Sequence, residues 1–172
     1  MKISGRNIKR RLYGLALVRD KLARAKHFRG HGVHSPFVYG LVRKAFLPDR
    51  LVAPVHCGLH DALLAAGIAP RRAVQLQNVA EYCGCTQYSL DAPDRDAELA
   101  ILTADYPAES LAAACSAARQ SGRTVAIMSP YACRERRNAC REIVGLHRST
   151  SVDNRGYLLI FNNHLPKQHF ML

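Results

Sequence analysis

Residues 96–128 constrain the fold more than any other stretch of the chain. Ala97-Glu98-Leu99-Ala100-Ile101-Leu102-Thr103 is short and mostly apolar and stops at Asp105-Tyr106-Pro107, the pattern of a buried strand that ends in a loop. Pro107 suits a first helical turn. Over 108–119, Leu111, Ala112, Cys115 and Ala118 recur at helical spacing, as on a helix with one buried face. Ser121-Gly122 ends that helix, and 123–128 reads as a second buried strand. Strand, helix and strand in about thirty residues imply a right-handed crossover and a parallel sheet. Ligands of such sheets sit beyond the carboxyl ends of the strands. Here that means residues 103–106 and 129–133, and neither loop has an obvious catalytic set.

The chain has 172 residues, enough for one domain with a real core, and its 48% hydrophobic and 22% charged residues are those of an ordinary globular protein. The net charge of +12 is unevenly placed. Residues 1–50 hold 13 Lys and Arg against Asp20 and Asp49, whereas the other 122 residues hold 12 against 11. The expected organisation is therefore a basic helical extension over 1–50 and an α/β domain over 51–172.

Within the extension, Ile8, Leu12, Leu15, Val18, Leu22 and Ala25 form an apolar stripe, with Arg10, Arg11, Arg19, Lys21 and Arg24 off it. Such an amphipathic helix over 6–26 would dock on the domain, on a second copy of the chain or on an anionic membrane surface. Alternatively Lys9, Arg10 and Arg11 would track the phosphates of a nucleic acid or other polyanion. Tyr13 is the one aromatic among these charges, which disfavours a stacking platform for single strands. The uncharged stretch 12–18 is too short to span a membrane and no cleavage signal follows it. Six cysteines without a C-x-x-C pair read as reduced thiols of a cytoplasmic protein.

Residues 29–42 read Arg-Gly-His-Gly-Val-His-Ser-Pro-Phe-Val-Tyr-Gly-Leu-Val. Ser35 and Pro36 are an N-cap and first helical residue for a short helix through Phe46. His31 and His34 lie three apart, and His56 and His60 four apart on an expected helix over 56–66. A metal at His31 and His34 would need a third ligand that spacing does not reveal, and no Glu follows His56 to make the metalloprotease pattern, so no metal is expected.

The stretch from Gly30 resembles the H-G-[IV]-H-S-P-F-V-[FY] signature of a family of small bacterial class I S-adenosylmethionine-dependent methyltransferase-like proteins. His31, His34, Ser35 and Pro36 carry that match. The end of the chain, Lys167-Gln168-His169-Phe170 after a strand, resembles the family's closing K-[QE]-H-F. The resemblance implies a Rossmann-like, three-layer α/β fold of the class I methyltransferase type, here shortened in its cofactor-binding half and preceded by a helical extension. It also implies S-adenosylmethionine as the cofactor if a cofactor is bound.

The middle of the chain departs from that family. Residues 71–77 read as the first strand, which in the family runs into an acid and a glycine-rich loop, E-x-G-x-x-x-G. Gln75 stands for the acid and Gln77 for the first glycine, so a side chain obstructs the approach that glycine permits. Only about twenty residues separate this strand from Ala97, leaving 87–91 as a remnant strand with Asp91 in the place of a ribose-binding acid. Asp105 follows the central strand where the family keeps an acid facing the site. After the next strand, where the family shows paired acids, this chain has Ser129-Pro130-Tyr131-Ala132-Cys133. General-base or metal-assisted methyl transfer then has no evident residue to carry it.

The helix over 131–144 carries Arg134, Arg136, Arg137 and Arg141, either a solvated face or a second phosphate-facing patch. Asn154-Arg155-Gly156 marks the turn of a hairpin. These readings imply a degenerate, non-catalytic methyltransferase-like protein kept for binding or scaffolding, with S-adenosylmethionine more readily absent than bound. The alternatives are an active enzyme with an atypical cofactor loop that uses Gln75, Asp91 and Asp105, and a polyanion binder working through the basic extension.

Overall fold

The computed structural model describes residues 34–52, 55, 57–92 and 96–172. The expected basic helix, with Lys9, Arg10 and Arg11, lies outside the described residues, as do His31 and His56. Ser35 opens α1 (Pro36–Leu41) as its sequence requires: its Oγ accepts from Val38 N at 3.4 Å and Pro36 takes the first helical position. α1 runs into a π-helical turn, Val42–Phe46. Then follow α2 (Leu59–Ala65), α3 (Pro70–Cys83), β1 (Tyr88–Leu90) and β2 (Leu99–Leu102). A 3-10 turn (Ala108–Ser110) leads into α4 (Leu111–Gln120), β3 (Thr124–Met128) and α5 (Arg134–Leu146). β4 (Thr150–Asp153), β5 (Tyr157–Ile160) and β6 (Gln168–Met171) close the sheet.

The six strands form one mixed sheet in the order β1-β2-β3-β5-β4-β6. β1, β2 and β3 are parallel, and β2-α4-β3 is the crossover unit expected from the sequence. β5 inserts antiparallel between β3 and β4, and β6 pairs parallel with β4. Residues 91–98, which join β1 to β2, are too few for the usual crossover helix. Alternate residues of the buried strands serve opposite faces. Ile101, Met128, Tyr157 and Leu159 meet α1, α2, α3 and the π turn. Leu102, Val125, Ile127, Leu158 and Ile160 meet α4 and α5. The architecture is a three-layer α/β sandwich compatible with a Rossmann-like fold.

One element overturns its expected type. Residues 71–77 are not the first strand but part of α3, which begins with Pro70 at its first turn and ends at Gly84 in the left-handed region (φ 72°). Ala73, Leu76, Val79 and Ala80 supply its buried stripe. Gln75, Gln77 and Asn78 are buried with them, and each is hydrogen-bonded. Gln77 Oε1 accepts from His60 N at 2.9 Å and Asn78 Oδ1 from Val52 N at 2.9 Å. The remnant strand over 87–91 is present as β1. The arginine-rich helix is α5, yet two of its arginines are not on a solvated or phosphate-facing surface: Arg136 and Arg137 are buried.

α1 and α3 cross closely at Gly40. A Cβ on Gly40 would stand 2.4 Å from Tyr82 Oη, which is itself held by donating to Phe37 O at 2.9 Å. The overlap in Gly40→Ala is expected to cost about 1–3 kcal/mol, more than the roughly 0.5–1 kcal/mol a helical glycine returns when replaced by alanine. Urea unfolding should show net destabilisation, and a smaller loss when Gly40→Ala is made in a Tyr82→Phe background; equal losses in both would remove the Tyr82 hydroxyl as the cause.

Candidate functional site at the carboxyl edge of the sheet

The carboxyl ends of β1, β2 and β3 share one edge, and Thr103 is the joint between the first two. The Asp91 carboxylate, just past β1, accepts from Thr103 N at 2.7 Å and from Thr103 Oγ1 at 2.5 Å. Thr103 Oγ1 in turn accepts from Asp105 N at 3.3 Å. The structure thus brings Asp91 and Asp105 to the same place, one on each side of Thr103. Asp91 has both oxygens engaged and a left-handed backbone (φ 50°). The Asp105 side chain is exposed beyond them.

Arg136 occupies the space between the ends of β2 and β3. It sits in the first turn of α5, which is capped by the Cys133 Sγ accepting from Arg136 N at 3.4 Å. A cation there opposes the helix dipole, and its side chain explains the choice. Nε donates to Met128 O at 3.0 Å, Nη1 to Tyr106 O at 2.7 Å and Nη2 to Thr103 O at 2.5 Å. All three guanidinium nitrogens are spent on backbone carbonyls, and the residue is 3% exposed. The crevice that a parallel sheet offers to a ligand here holds a side chain of the protein itself.

All three non-glycine residues with left-handed backbone among the described residues lie on this edge: Asp91, Ser129 (φ 48°) after β3, and Arg155 (φ 53°) in the β4–β5 turn. Such residues are held only where their surroundings over-determine them. Ser129 N donates to Gly156 O at 2.8 Å, tying the end of β3 to that turn, and Arg155 N donates to Asp153 Oδ1 at 2.9 Å.

Gln75 is not with Asp91 and Asp105. As a residue of α3 it donates to Phe46 O at 2.8 Å, while its Oε1 accepts from Arg72 Nη1 at 2.7 Å and lies 3.4 Å from Tyr157 Oη. It pins the π turn and the hairpin to α3. Ser35 and Pro36 of the signature act as a helix start, with His34 exposed before them. Among the described residues, no group of three His, Cys, Asp or Glu side chains is arranged to hold a metal ion. No helix of the described residues is long and apolar enough to cross a membrane.

A concavity of about 470 Å³ opens at the opposite, amino edge, where Cys83 and Cys85 meet Glu98 and Arg123. Burial pushes both thiols up to about 12, as it does those of Cys115 and Cys140, so all four are protonated and unreactive at neutral pH. The sequence signal for Thr103 was its place at a strand end. Nothing in the sequence marked Arg136 from its neighbouring arginines.

Fold and edge together define an α/β protein with a mixed sheet, compatible with a Rossmann-like fold, in which Arg136 bridges the carboxyl ends of β2 and β3. No protein-family model matches the chain, and no curated protein and no solved structure shows significant similarity to it.

Removing Arg136 takes a charged donor from the carbonyls of Met128, Thr103 and Tyr106, of which Thr103 O keeps Tyr106 N at 3.3 Å, and hydrogen bonds to a charged group are each worth about 1.5–3 kcal/mol. Arg136→Met should lower the unfolding free energy by at least about 3 kcal/mol, with Arg136→Lys intermediate because one ammonium cannot span three carbonyls. Chemical denaturation of the two variants checks this; a Lys variant as stable as the parent would remove the three-point clamp.

Proposed function

We propose that the chain is a methyltransferase-like α/β protein that binds or scaffolds and does not turn over S-adenosylmethionine. One observation carries this reading: Arg136 fills the space between the ends of β2 and β3 where a cofactor of such a sheet would lie. Two others support it. The residues aligned with the cofactor loop are helix α3, and the Asp91 carboxylate is committed to Thr103. Thr103 N and Oγ1 hold the two oxygens of Asp91 at the end of β2, which fixes the carboxylate's position.

Calorimetric titration with S-adenosylmethionine and S-adenosylhomocysteine at low salt is the direct test. The expected result is no heat and no thermal stabilisation. Micromolar binding lost on Asp91→Ala or Asp105→Ala would overturn the reading in favour of an active enzyme with an altered loop.

The charge distribution favours a partner for the binding role. Residues 1–50 carry a surplus of 11 positive charges, 13 against 2, while the other 122 residues are nearly balanced. A polyanion such as duplex nucleic acid is the partner this composition fits. Affinity for duplex DNA should fall linearly in a plot of log K against log salt, and replacing Lys9, Arg10 and Arg11 by Gln should make the slope shallower by about 3. An unchanged slope would assign the charge to another role.

A further inference from the structure

We propose that a cavity between α5 and the β5-β4-β6 side of the sheet binds a small organic monocarboxylate with an apolar body. The cavity measures about 270 Å³ and lies on the α4–α5 face, and Arg136 is not among its lining residues. That volume falls just below the roughly 300–1,000 Å³ of sites for drug-sized ligands, so it suits a single ring or a short chain. Its walls combine an apolar floor with a few converging polar groups, the composition typical of a small-molecule site. Val144, Leu158 and Met171 supply the floor.

The polar groups set the charge. Arg137 and Arg141 stand one helical turn apart on α5 and both line the cavity. Asp153, at the end of β4, is the one carboxylate among the lining residues. Its Oδ1 accepts from Arg155 N and its Oδ2 from the Tyr131 hydroxyl, so it is fixed in place by the chain itself. His169 lies on the wall with Nδ1 2.9 Å from Ser151 Oγ. The lining holds two arginines and one aspartate, a surplus of one positive charge, and Arg141 is the exposed one of the two. A single carboxylate on the ligand balances that surplus, and the planar fork of an arginine matches its two oxygens. A phosphate dianion would overshoot the balance.

The register of the sheet explains why these groups meet. Ser151 pairs with His169 and Asp153 with Met171 in the β4–β6 ladder, so residues two apart on each strand share the α5 face. Val152 and Phe170, between them, face the other core. The closing Lys167-Gln168-His169-Phe170 thus has its histidine at this cavity and its phenylalanine in the core. This proposal goes beyond the function proposed above and does not rest on it: titration with S-adenosylmethionine can fall either way without touching it.

Titration of the full chain with phenylacetate, read from the methyl NMR signals of Val144, Leu158 and Met171, tests the proposal. Those signals should shift, and phenylacetamide, similar in shape but uncharged, should bind about tenfold more weakly or worse. Arg141→Gln changes an exposed side chain and should lower phenylacetate affinity about tenfold with the fold intact. Val144→Phe, which fills the floor, should remove binding. The proposal is overturned if the three methyl signals stay still at about 10 mM phenylacetate, tenfold above a millimolar Kd. It is equally overturned if the amide binds as well as the acid or Arg141→Gln changes nothing. Tighter binding of phenyl phosphate than of phenylacetate would overturn the assignment to a monocarboxylate.

Discussion

A strand that stops at the edge of a parallel sheet leaves carbonyls with no further ladder partner, and a buried carbonyl without a donor is costly. Arg136 donates at the ends of β2 and β3 at once, to Thr103 O and Met128 O, and to Tyr106 O in the loop between β2 and α4. The rest of the edge depends on it. α5 is fixed by its first turn to the strands it covers, and the loops after β2 and β3 are drawn to a common point. A bound ligand of a parallel sheet supplies donors to such an edge from outside; in this chain a guanidinium supplies them from within.

The same economy runs along the edge. Asp91 closes the end of β1 onto Thr103, and Gln75 closes α3 onto the π turn and the hairpin. Gln75 is buried and Asp91 is exposed, and both are hydrogen-bonded to protein atoms. The cavity behind α5, lined by Arg137, Arg141 and Asp153, is separate from both.

Much of the second half was legible because its local and tertiary preferences agree. The strand Leu99–Leu102 serves both core faces of the sheet, Pro107 and Gly122 bracket the crossover helix, and Asn154-Arg155-Gly156 turns the hairpin with Arg155 left-handed. Ser35-Pro36 starts α1 as such a pair does. The stretch 71–77 was not legible because Val74-Gln75-Leu76-Gln77 alternates like a strand, and the buried polar residues Gln75, Gln77 and Asn78 hide the helical stripe. Its brackets, Pro70 and Gly84, are those of a helix, but the alternation between them is that of a strand. Arg136 was illegible for a different reason. One arginine among four on a helix is marked only by where its neighbours in space end, and pattern within the helix holds no trace of them. Thr103 and Asp105 were found as a loop beyond a strand, although the bond from Asp91 that gives the place its geometry came from a remnant strand weakly signalled in sequence.

The partners of Arg136 lie 8, 30 and 33 residues before it in the chain. The clamp therefore closes only after β2, the crossover helix, β3 and the first turn of α5 have all been assembled. One side chain thereby ties the ends of two strands to the start of the helix that covers them, so a change at position 136 is felt at three places far apart in the chain.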